Sequence, residues 1–207
     1  MEKAMKPFFP VFLDLENQRT LVIGTNEAAI EKIEKLLFSG ALITIIATKI
    51  SSKVMLLKKE HPNQITIYKN QVTKGDIRNN RIIFSAINSA QKNDQIRSWC
   101  QEFGILFNAI DRPNYCDFYM SSQIERGPLQ IAISTQGKFP GLATAIRSWL
   151  ETILPDQDMN ILEEMTQVRH QIKQKIPDPI LRRKILMDLT ANIKNQYLKI
   201  DTREKEA

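Results

Sequence analysis

Cysteine is scarce in this sequence, and long hydrophobic runs are absent. The 207 residues include two cysteines, Cys100 and Cys116, which do not form a CxxC pair. So few cysteines argue against a disulfide framework or a cysteine-ligated metal. The apolar run at 8–13 is broken by Pro10, is too short for a signal peptide, and no run reaches membrane-spanning length. We therefore expect a cytoplasmic protein with no membrane segment, and its 43% hydrophobic content suffices to bury a core.

Clusters of basic residues are also lacking. The formal net charge is +6, from 29 Lys and Arg against 23 Asp and Glu. Charges balance over residues 151–207, so the excess belongs to residues 1–150, where Lys58 and Lys59 are the one adjacent basic pair. A nucleic-acid footprint usually shows a basic stripe with interleaved aromatic residues. We therefore expect no nucleic-acid partner, whereas an anionic small molecule suits the same positive field.

The two histidines do not suggest a metal site. His61 and His170 lie far apart in helix-like contexts, with no third ligand at metal spacing. We expect both to be surface residues, and we expect no metal. Trp99 and Trp149 are expected in packing or in an interface.

Residues 19–47 carry the pattern of a strand, a tight turn, a helix and a second strand. The segment 19–23 is β-branched and apolar and runs into Gly24. From Glu27 the apolar residues recur at helical spacing until Ser39 and Gly40, a typical helix stop. A second apolar strand follows at 42–47. The size and order are those of a βαβ crossover.

The same alternation continues along the chain. It predicts helices at 51–61 and 90–103 and strands at 64–68, 81–87 and 105–110. Strands that read as buried on both faces and alternate with helices imply a parallel sheet, so the fold class is α/β with a Rossmann-type sheet. A strand at 128–134, a helix from Pro140 and helices over 151–207, interrupted by Pro177 and Pro179, complete the chain. The pattern therefore divides the chain at 1–112, 113–150 and 151–207.

The turn after the first strand resembles a dinucleotide-binding motif. In G-x-G-x-x-G/A the first glycine makes the turn, the second admits the pyrophosphate, and the third lets the helix pack closely on the strand. The chain has Gly24 and Ala29 at the first and third positions, but Asn26 at the second. Asparagine tolerates positive φ and is a good N-cap, so the turn and the helix start should survive. The motif alone is weak, and a helix N-terminus that binds nothing is its alternative.

Two residues after the second strand are candidates for the nucleotide ribose. NAD enzymes commonly place an acidic residue there, but this chain has Thr48 and Lys49. Thr48 can hydrogen-bond a ribose, and Lys49 can favour a 2′-phosphate or simply be solvated.

Several further segments follow one another along the chain in a distinctive order. They are Pro10-Val11-Phe12-Leu13-Asp14-Leu15, Val22-Ile23-Gly24, Leu36-Leu37-x-x-Gly40-Ala41, Phe107-Asn108-Ala109-Ile110-Asp111, Arg126-Gly127-Pro128-Leu129 and Ile131-Ala132-Ile133-Ser134. Together they resemble the precorrin-2 dehydrogenase family, which includes the N-terminal half of siroheme synthase. The likeness covers essentially the whole chain, and the order and spacing of the segments are its specific part.

The resemblance implies NAD-dependent oxidation of precorrin-2 to sirohydrochlorin. It implies an NAD-binding domain at 1–112, a dimerisation and substrate region at 113–150, a C-terminal helical domain at 151–207, and a homodimer. The functional aspartate of the family corresponds to Asp111, as a general base or a substrate-orienting group. Family positions that bind the cofactor correspond to these residues: Gly24, Asn26, Glu27, Ala28, Thr48 and Lys49. Those on the substrate side are Ser134, Thr135, Arg126 and Lys138, which suit the carboxylates of a tetrapyrrole.

The chain departs from the family at three functional segments. Relatives usually have three glycines at the turn where this chain has Gly24-Thr25-Asn26, Thr-Asp where it has Ile87-Asn88, and Ser-Ser-Gly-Gly where it has Ser134-Thr135-Gln136-Gly137. Asp111 can also be a turn-forming residue before Arg112-Pro113. Two alternatives to a dehydrogenase therefore stay open: a bifunctional dehydrogenase and sirohydrochlorin ferrochelatase, or a non-catalytic tetrapyrrole-binding member that has lost NAD.

Overall fold

The computed structural model describes residues 8–127, 129–154 and 159–197, which fall into two compact units with their boundary between Met120 and Ser121. The first unit alternates strands with helices. Its elements are β1 Arg19–Ile23, α1 Glu27–Phe38, β2 Leu42–Ile46, α2 Ser52–Glu60, β3 Ile65–Tyr68, α3 Lys74–Ile77, β4 Ile82–Ser85, α4 Ala90–Phe103 and β5 Leu106–Ala109, followed by a 3-10 turn at Pro113–Tyr115.

The five strands of the first unit form one parallel sheet in the order β3-β2-β1-β4-β5. Ile23, at the end of β1, pairs with Ile46 on one side and Ser85 on the other. The carboxyl ends of the strands therefore share one edge of the sheet, where open α/β sheets bind ligands. The predicted α/β class and Rossmann-type sheet are confirmed.

Both faces of this sheet are buried, which explains why the strands read as continuous apolar runs. Alternate residues of β1 point to opposite sides: Val22 packs with α1, and Leu21 packs with α4. On the first side α1 contributes Ala29, Ile30 and Ile33, each at most 2% exposed. Burial of Ile30 and of Ile33 contributes about 1.5–3 kcal/mol each in transfer free energy, which holds α1 against the sheet.

One short helix of this unit was not predicted from the sequence. Helix α3 spans only four residues and begins with a capping box between Thr73 and Asp76. A segment this short carries no helical periodicity, and its stability comes from the cap and from Ile77, which is fully buried.

The second unit begins with an antiparallel hairpin of β6 Ser122–Arg126 and β7 Leu129–Ile133. Strand β7 was predicted within one residue at each end, but β6 was not. In β6 only Ile124 is apolar and buried, so the strand has too few hydrophobic residues to show a period of two.

Within residues 129–154 and 159–197 the hairpin is followed by the helices α5 Pro140–Ile153, α6 Met159–Lys175 and α7 Pro179–Tyr197. Pro140 and Pro179 each stand at the start of a helix, where a missing N–H costs nothing. The break predicted near Pro177 is therefore confirmed. Among the described residues no helix is both long and apolar enough to cross a membrane.

Candidate dinucleotide site

A cleft of about 330 Å³ opens at the carboxyl edge of the parallel sheet. Its walls are the segments that follow the strands β1 to β4, together with one face of α4. The lining residues are 23–25 after β1, 46–49 after β2, 70–72 after β3, Ile87 after β4, and Lys92, Gln95, Ile96 and Trp99. The volume lies at the lower end of the range usual for small-molecule sites, about 300–1,000 Å³.

Gly24 makes the turn that leads from β1 into this cleft. Its φ is +110°, a conformation that residues with a Cβ rarely adopt. A Cβ built there would lie 3.1 Å from the Cβ of Ala86, and the Gly24 N–H donates to the Ile46 carbonyl at 2.9 Å. The first position of the predicted motif therefore requires glycine for both conformation and space.

Asn26 is the N-cap of α1. Its Oδ1 accepts from the Ala29 N–H at 3.0 Å, and its Nδ2 donates to the Ala86 carbonyl at 3.2 Å. The predicted N-cap is confirmed, but the tolerance of asparagine for positive φ is not used, because Asn26 has φ −75°. The side chain folds back onto its own helix and onto the β4 loop.

The start of α1 keeps donors for an anion. The first N–H groups of a helix have no acceptor within the helix, and Asn26 satisfies one of them, that of Ala29. The amides of Glu27 and Ala28, at the first two helical positions, lie at the positive end of the helix dipole. The Glu27 carboxylate lies 4.0 Å from the Lys53 ammonium, which partly balances its charge.

A side-chain hydrogen bond joins the glycine turn to the loop after β2. The Thr25 hydroxyl donates to the Lys49 carbonyl at 2.8 Å. Thr48 and Lys49 are both exposed at the cleft, next to this bond. The structure thus brings Gly24 and Thr25 of the turn together with Thr48 and Lys49 in the lining of one cleft. Asn26, Glu27 and Ala28 follow directly at the start of α1 but are not among the lining residues.

A buried polar cluster fixes the loop between β4 and α4. The Ser85 hydroxyl donates to Asn93 Oδ1 at 2.7 Å, and Asn93 Nδ2 donates to the Ile87 carbonyl at 3.0 Å. Ser85 and Asn93 are at most 1% exposed. Because Ile87 lines the cleft, these two residues position the cleft wall without touching a ligand.

Asp111 follows β5, at the same edge of the sheet but outside the lining of the cleft. It is exposed and has φ +60°, which is uncommon outside glycine and best tolerated by Asn and Asp. The neighbouring Arg112 Nη2 donates to Asn88 Oδ1 at 2.8 Å. This bond ties the turn that carries Asp111 to the loop after β4.

The four residues predicted on the substrate side belong to the second unit. Arg126 ends β6 and is half-buried, and Lys138 is exposed in the turn before α5. The Ser134 hydroxyl accepts from the Gln136 N–H at 3.0 Å, and the Thr135 hydroxyl accepts from the Phe139 N–H at 3.3 Å. Ser134 and Thr135 therefore shape the turn between β7 and α5.

Neither cysteine has the ionisation of a nucleophile. Burial raises the pKa of the Cys100 thiol to about 12, and burial also raises the pKa of Cys116. Both therefore stay protonated thiols at neutral pH. Among the described residues no group of three His, Cys, Asp or Glu side chains is arranged to hold a metal ion.

A family of proteins described as "Putative NAD(P)-binding" matches residues 11–122, more than half of the chain. The chain belongs to this NAD(P)-binding family. The matched residues include all strands of the parallel sheet, the Gly24 turn and the cleft. The cofactor class of the family is a nicotinamide dinucleotide, NAD or NADP.

Curated relatives extend the similarity beyond this domain. The chain is 33% identical over 169 residues to a siroheme synthase of Psychrobacter cryohalolentis, covering 82% of this chain and 32% of the relative. It is 35% identical over 147 residues to siroheme synthase 2 of Halorhodospira halophila, covering 71% of this chain and 30% of the relative. The chain thus spans about a third of the length of these relatives, and the resemblance stated from the sequence is confirmed.

One solved structure has the same fold over nearly the whole chain. It is "SirC, precorrin-2 dehydrogenase", with a TM-score of 0.74, 24% identity and 92% of each chain covered. The two proteins therefore share their fold over most of this chain.

Sequence reasoning missed the side of the cleft that is formed by the loop after β3 and by α4. Asn70 and Gln71 follow β3, and Lys92, Gln95 and Trp99 come from α4. The three α4 residues recur at helical spacing, which was the available signal. Trp99, expected in packing, does pack on the core and also lines the cleft.

Proposed function

We propose that this protein is a precorrin-2 dehydrogenase, which oxidises precorrin-2 to sirohydrochlorin with NAD as the oxidant. The observation that carries the proposal is a cleft at the carboxyl edge of a parallel sheet, lined by Gly24 and Thr25 of the turn that leads into α1. The similarity to siroheme synthases and the fold of SirC support the same reaction.

The cleft fits a dinucleotide by its donors and its charge. The amides of Glu27 and Ala28 would hold the diphosphate, and Thr48 and Lys49 would contact the adenosine ribose. The partly exposed Ile87 side chain and Trp99 ring supply apolar surface on which an adenine can pack. When bound, NAD supplies a nicotinamide ring that accepts a hydride.

Asp111 is proposed as the general base. Oxidation of precorrin-2 removes two hydrogens, so one leaves as a hydride and the other as a proton. The Asp111 carboxylate is exposed beside the ligand edge of the sheet and can take that proton. The Asn88–Arg112 hydrogen bond would hold its turn in place.

Arg126, Lys138, Ser134 and Thr135 are proposed to bind the carboxylates of the tetrapyrrole. Two cationic side chains and two hydroxyl groups come from one hairpin and the turn after it. Charge-assisted hydrogen bonds of this kind are the strong ones for carboxylates. We also propose the division into a nucleotide-binding domain at 1–112, a dimerisation and substrate region at 113–150, and a helical domain at 151–207.

A homodimer is the proposed assembly. Trp149 on α5 is 61% exposed, and Ile180 and Met187 on α7 are 81% and 62% exposed. Large apolar side chains exposed in numbers usually mark an interface. We expect light scattering to give twice the chain mass. A cytoplasmic location is proposed as well, because both cysteines are free thiols and the oxidant is a nicotinamide nucleotide.

The decisive experiment is a spectrophotometric assay of precorrin-2 oxidation with the wild type and Asp111→Asn. Asparagine keeps the side-chain shape and tolerates φ +60°, so the fold should be kept. Loss of a general base typically lowers turnover by about 10²–10⁴-fold, while the dissociation constant for NAD should change little. Asp94→Asn, an exposed carboxylate on α4 that does not line the cleft, is the matched control.

Two results would contradict the proposal. If Asp111→Asn oxidises precorrin-2 at the wild-type rate, Asp111 is not the base. If the wild type binds neither NAD nor NADP in calorimetry, the protein is not a dehydrogenase. In that second case, binding of sirohydrochlorin and insertion of ferrous iron into it would be measured next.

A further inference from the structure

We propose that the cleft takes NADP as well as NAD, with an affinity for NADP no weaker than that for NAD. The inference rests on the proposed nucleotide site and concerns the end of the cleft formed after β2. It names the 2′-phosphorylated dinucleotide as a ligand of the same site.

The residue that normally rejects a 2′-phosphate is missing from this cleft. NAD-specific sheets of this type place a carboxylate about twenty residues after the glycine turn, where it binds the ribose hydroxyls and repels a phosphate. Thr48 follows β2 in that place, exposed and in the wall of the cleft. Its hydroxyl can donate to or accept from either a hydroxyl or a phosphate oxygen, so it does not discriminate.

The charge of the cleft favours the additional phosphate. No Asp or Glu occurs among the lining residues, whereas Lys49 and Lys92 line it from two different elements. Both ammonium groups are on exposed residues, and the ion pairs found in residues 8–127 do not involve them. They are therefore available for a dianionic phosphate, which the ordinary ribose hydroxyl of NAD would not use.

The backbone of Lys49 is fixed beside the glycine turn. The Thr25 hydroxyl donates to its carbonyl at 2.8 Å, so its backbone is tied to the same turn that would carry the diphosphate. A lysine on a fixed backbone next to the ribose contributes charge without any rearrangement of the loop. Lys53, in the first turn of α2, instead lies 4.0 Å from the Glu27 carboxylate and 3.6 Å from that of Glu34, and does not line the cleft.

Calorimetric titration with NAD, NADP, 5′-AMP and 2′,5′-ADP tests the inference on the whole chain. We expect NADP to bind at least as tightly as NAD, and 2′,5′-ADP to bind at least fivefold more tightly than 5′-AMP. Lys49→Glu should raise the ratio of the NADP to the NAD dissociation constant at least tenfold. Lys53→Glu makes the same change of charge outside the cleft and should leave that ratio within twofold of the wild type.

The possible failures are distinguishable. If NAD binds and NADP binds tenfold more weakly or worse, this inference is wrong while the proposed dehydrogenase stands. An equal effect of Lys49→Glu and Lys53→Glu on the ratio would also overturn it, because the discrimination would then come from overall charge. If neither dinucleotide binds, the nucleotide site itself is wrong, and the proposed function is overturned together with this inference.

Discussion

Replacing Asn26 by aspartate tests whether the diphosphate lies at the start of α1. The two side chains have the same shape, and both are strong N-caps, so the Asn26→Asp variant would keep the hydrogen bond to the Ala29 N–H. The one bond lost is that from Nδ2 to the Ala86 carbonyl, at 3.2 Å on an exposed residue. We therefore expect a loss of at most about 1 kcal/mol in the free energy of unfolding.

The effect on ligand binding should be larger. A carboxylate about 4 Å from a phosphate charge costs about 1 kcal/mol in water and about 4 kcal/mol at an effective dielectric constant of 20. Asn26 is exposed, so we take the lower part of this range, about 1–2 kcal/mol. At about 1.4 kcal/mol per tenfold, NAD should bind about 5–30-fold more weakly.

Calorimetric titration of Asn26→Asp with NAD, beside thermal unfolding without ligand, separates the two effects. Asn26→Gly is the complementary variant, because it frees the Ala29 N–H for the ligand and should tighten binding. Equal affinity of the wild type and Asn26→Asp for NAD would refute the reasoning. The diphosphate would then lie away from the turn, and the resemblance to a dinucleotide motif would concern the fold only.

Three further changes probe the fold around the site. Gln136 has φ +56°, so Gln136→Gly should relieve about 1–2 kcal/mol of backbone strain, partly offset by the entropy of glycine, and raise the denaturant midpoint. Asn93→Ala leaves the Ser85 hydroxyl and the Ile87 carbonyl short of partners and should lower the unfolding free energy by about 2–4 kcal/mol in urea titration. Burial raises the pKa of the Cys100 thiol from 9.0 to about 12. Above pH 9 the unfolded chain therefore loses this proton while the folded protein keeps it, so the free energy of unfolding falls as the pH rises from 9 towards 12. Cys100→Ala should flatten that decline, by up to about 1.4 kcal/mol per pH unit.

The parallel sheet was predictable because its strands are buried on both faces. Residues of β1, β2 and β4 are mostly branched or aromatic, and the helices between them show a clear period. Local signals also fixed the helix ends, as at Asn26 before α1 and Pro140 in α5. Where the sequence carried little apolar patterning, in α3 and β6, the prediction failed.

Sequence motifs predicted only the residues of the site that directly follow β1 and β2. Gly24, Thr48 and Lys49 follow strands of known order, so the sheet topology brings them to one edge. The α4 side of the cleft depends on which face of that helix turns towards it. Trp99 lines the cleft and also packs against the core. The helical spacing of Lys92, Gln95 and Trp99 places them on one face of α4, but long-range packing decides that this face turns towards the cleft.

Asn26 and Gln136 both stand where the family pattern has a glycine, but the two replacements are physically different. Asn26 has φ −75°, so glycine is not needed there for the backbone, and the amide side chain caps α1. Gln136 has φ +56°, where a residue with a Cβ is strained. The first replacement therefore changes the room and the donors available to a diphosphate, and its effect must appear in binding. The second changes the stability of the turn before α5, and its effect must appear in unfolding. Asn26→Gly should therefore raise the affinity for NAD, whereas Gln136→Gly should stabilise the second unit and leave the affinity for NAD unchanged.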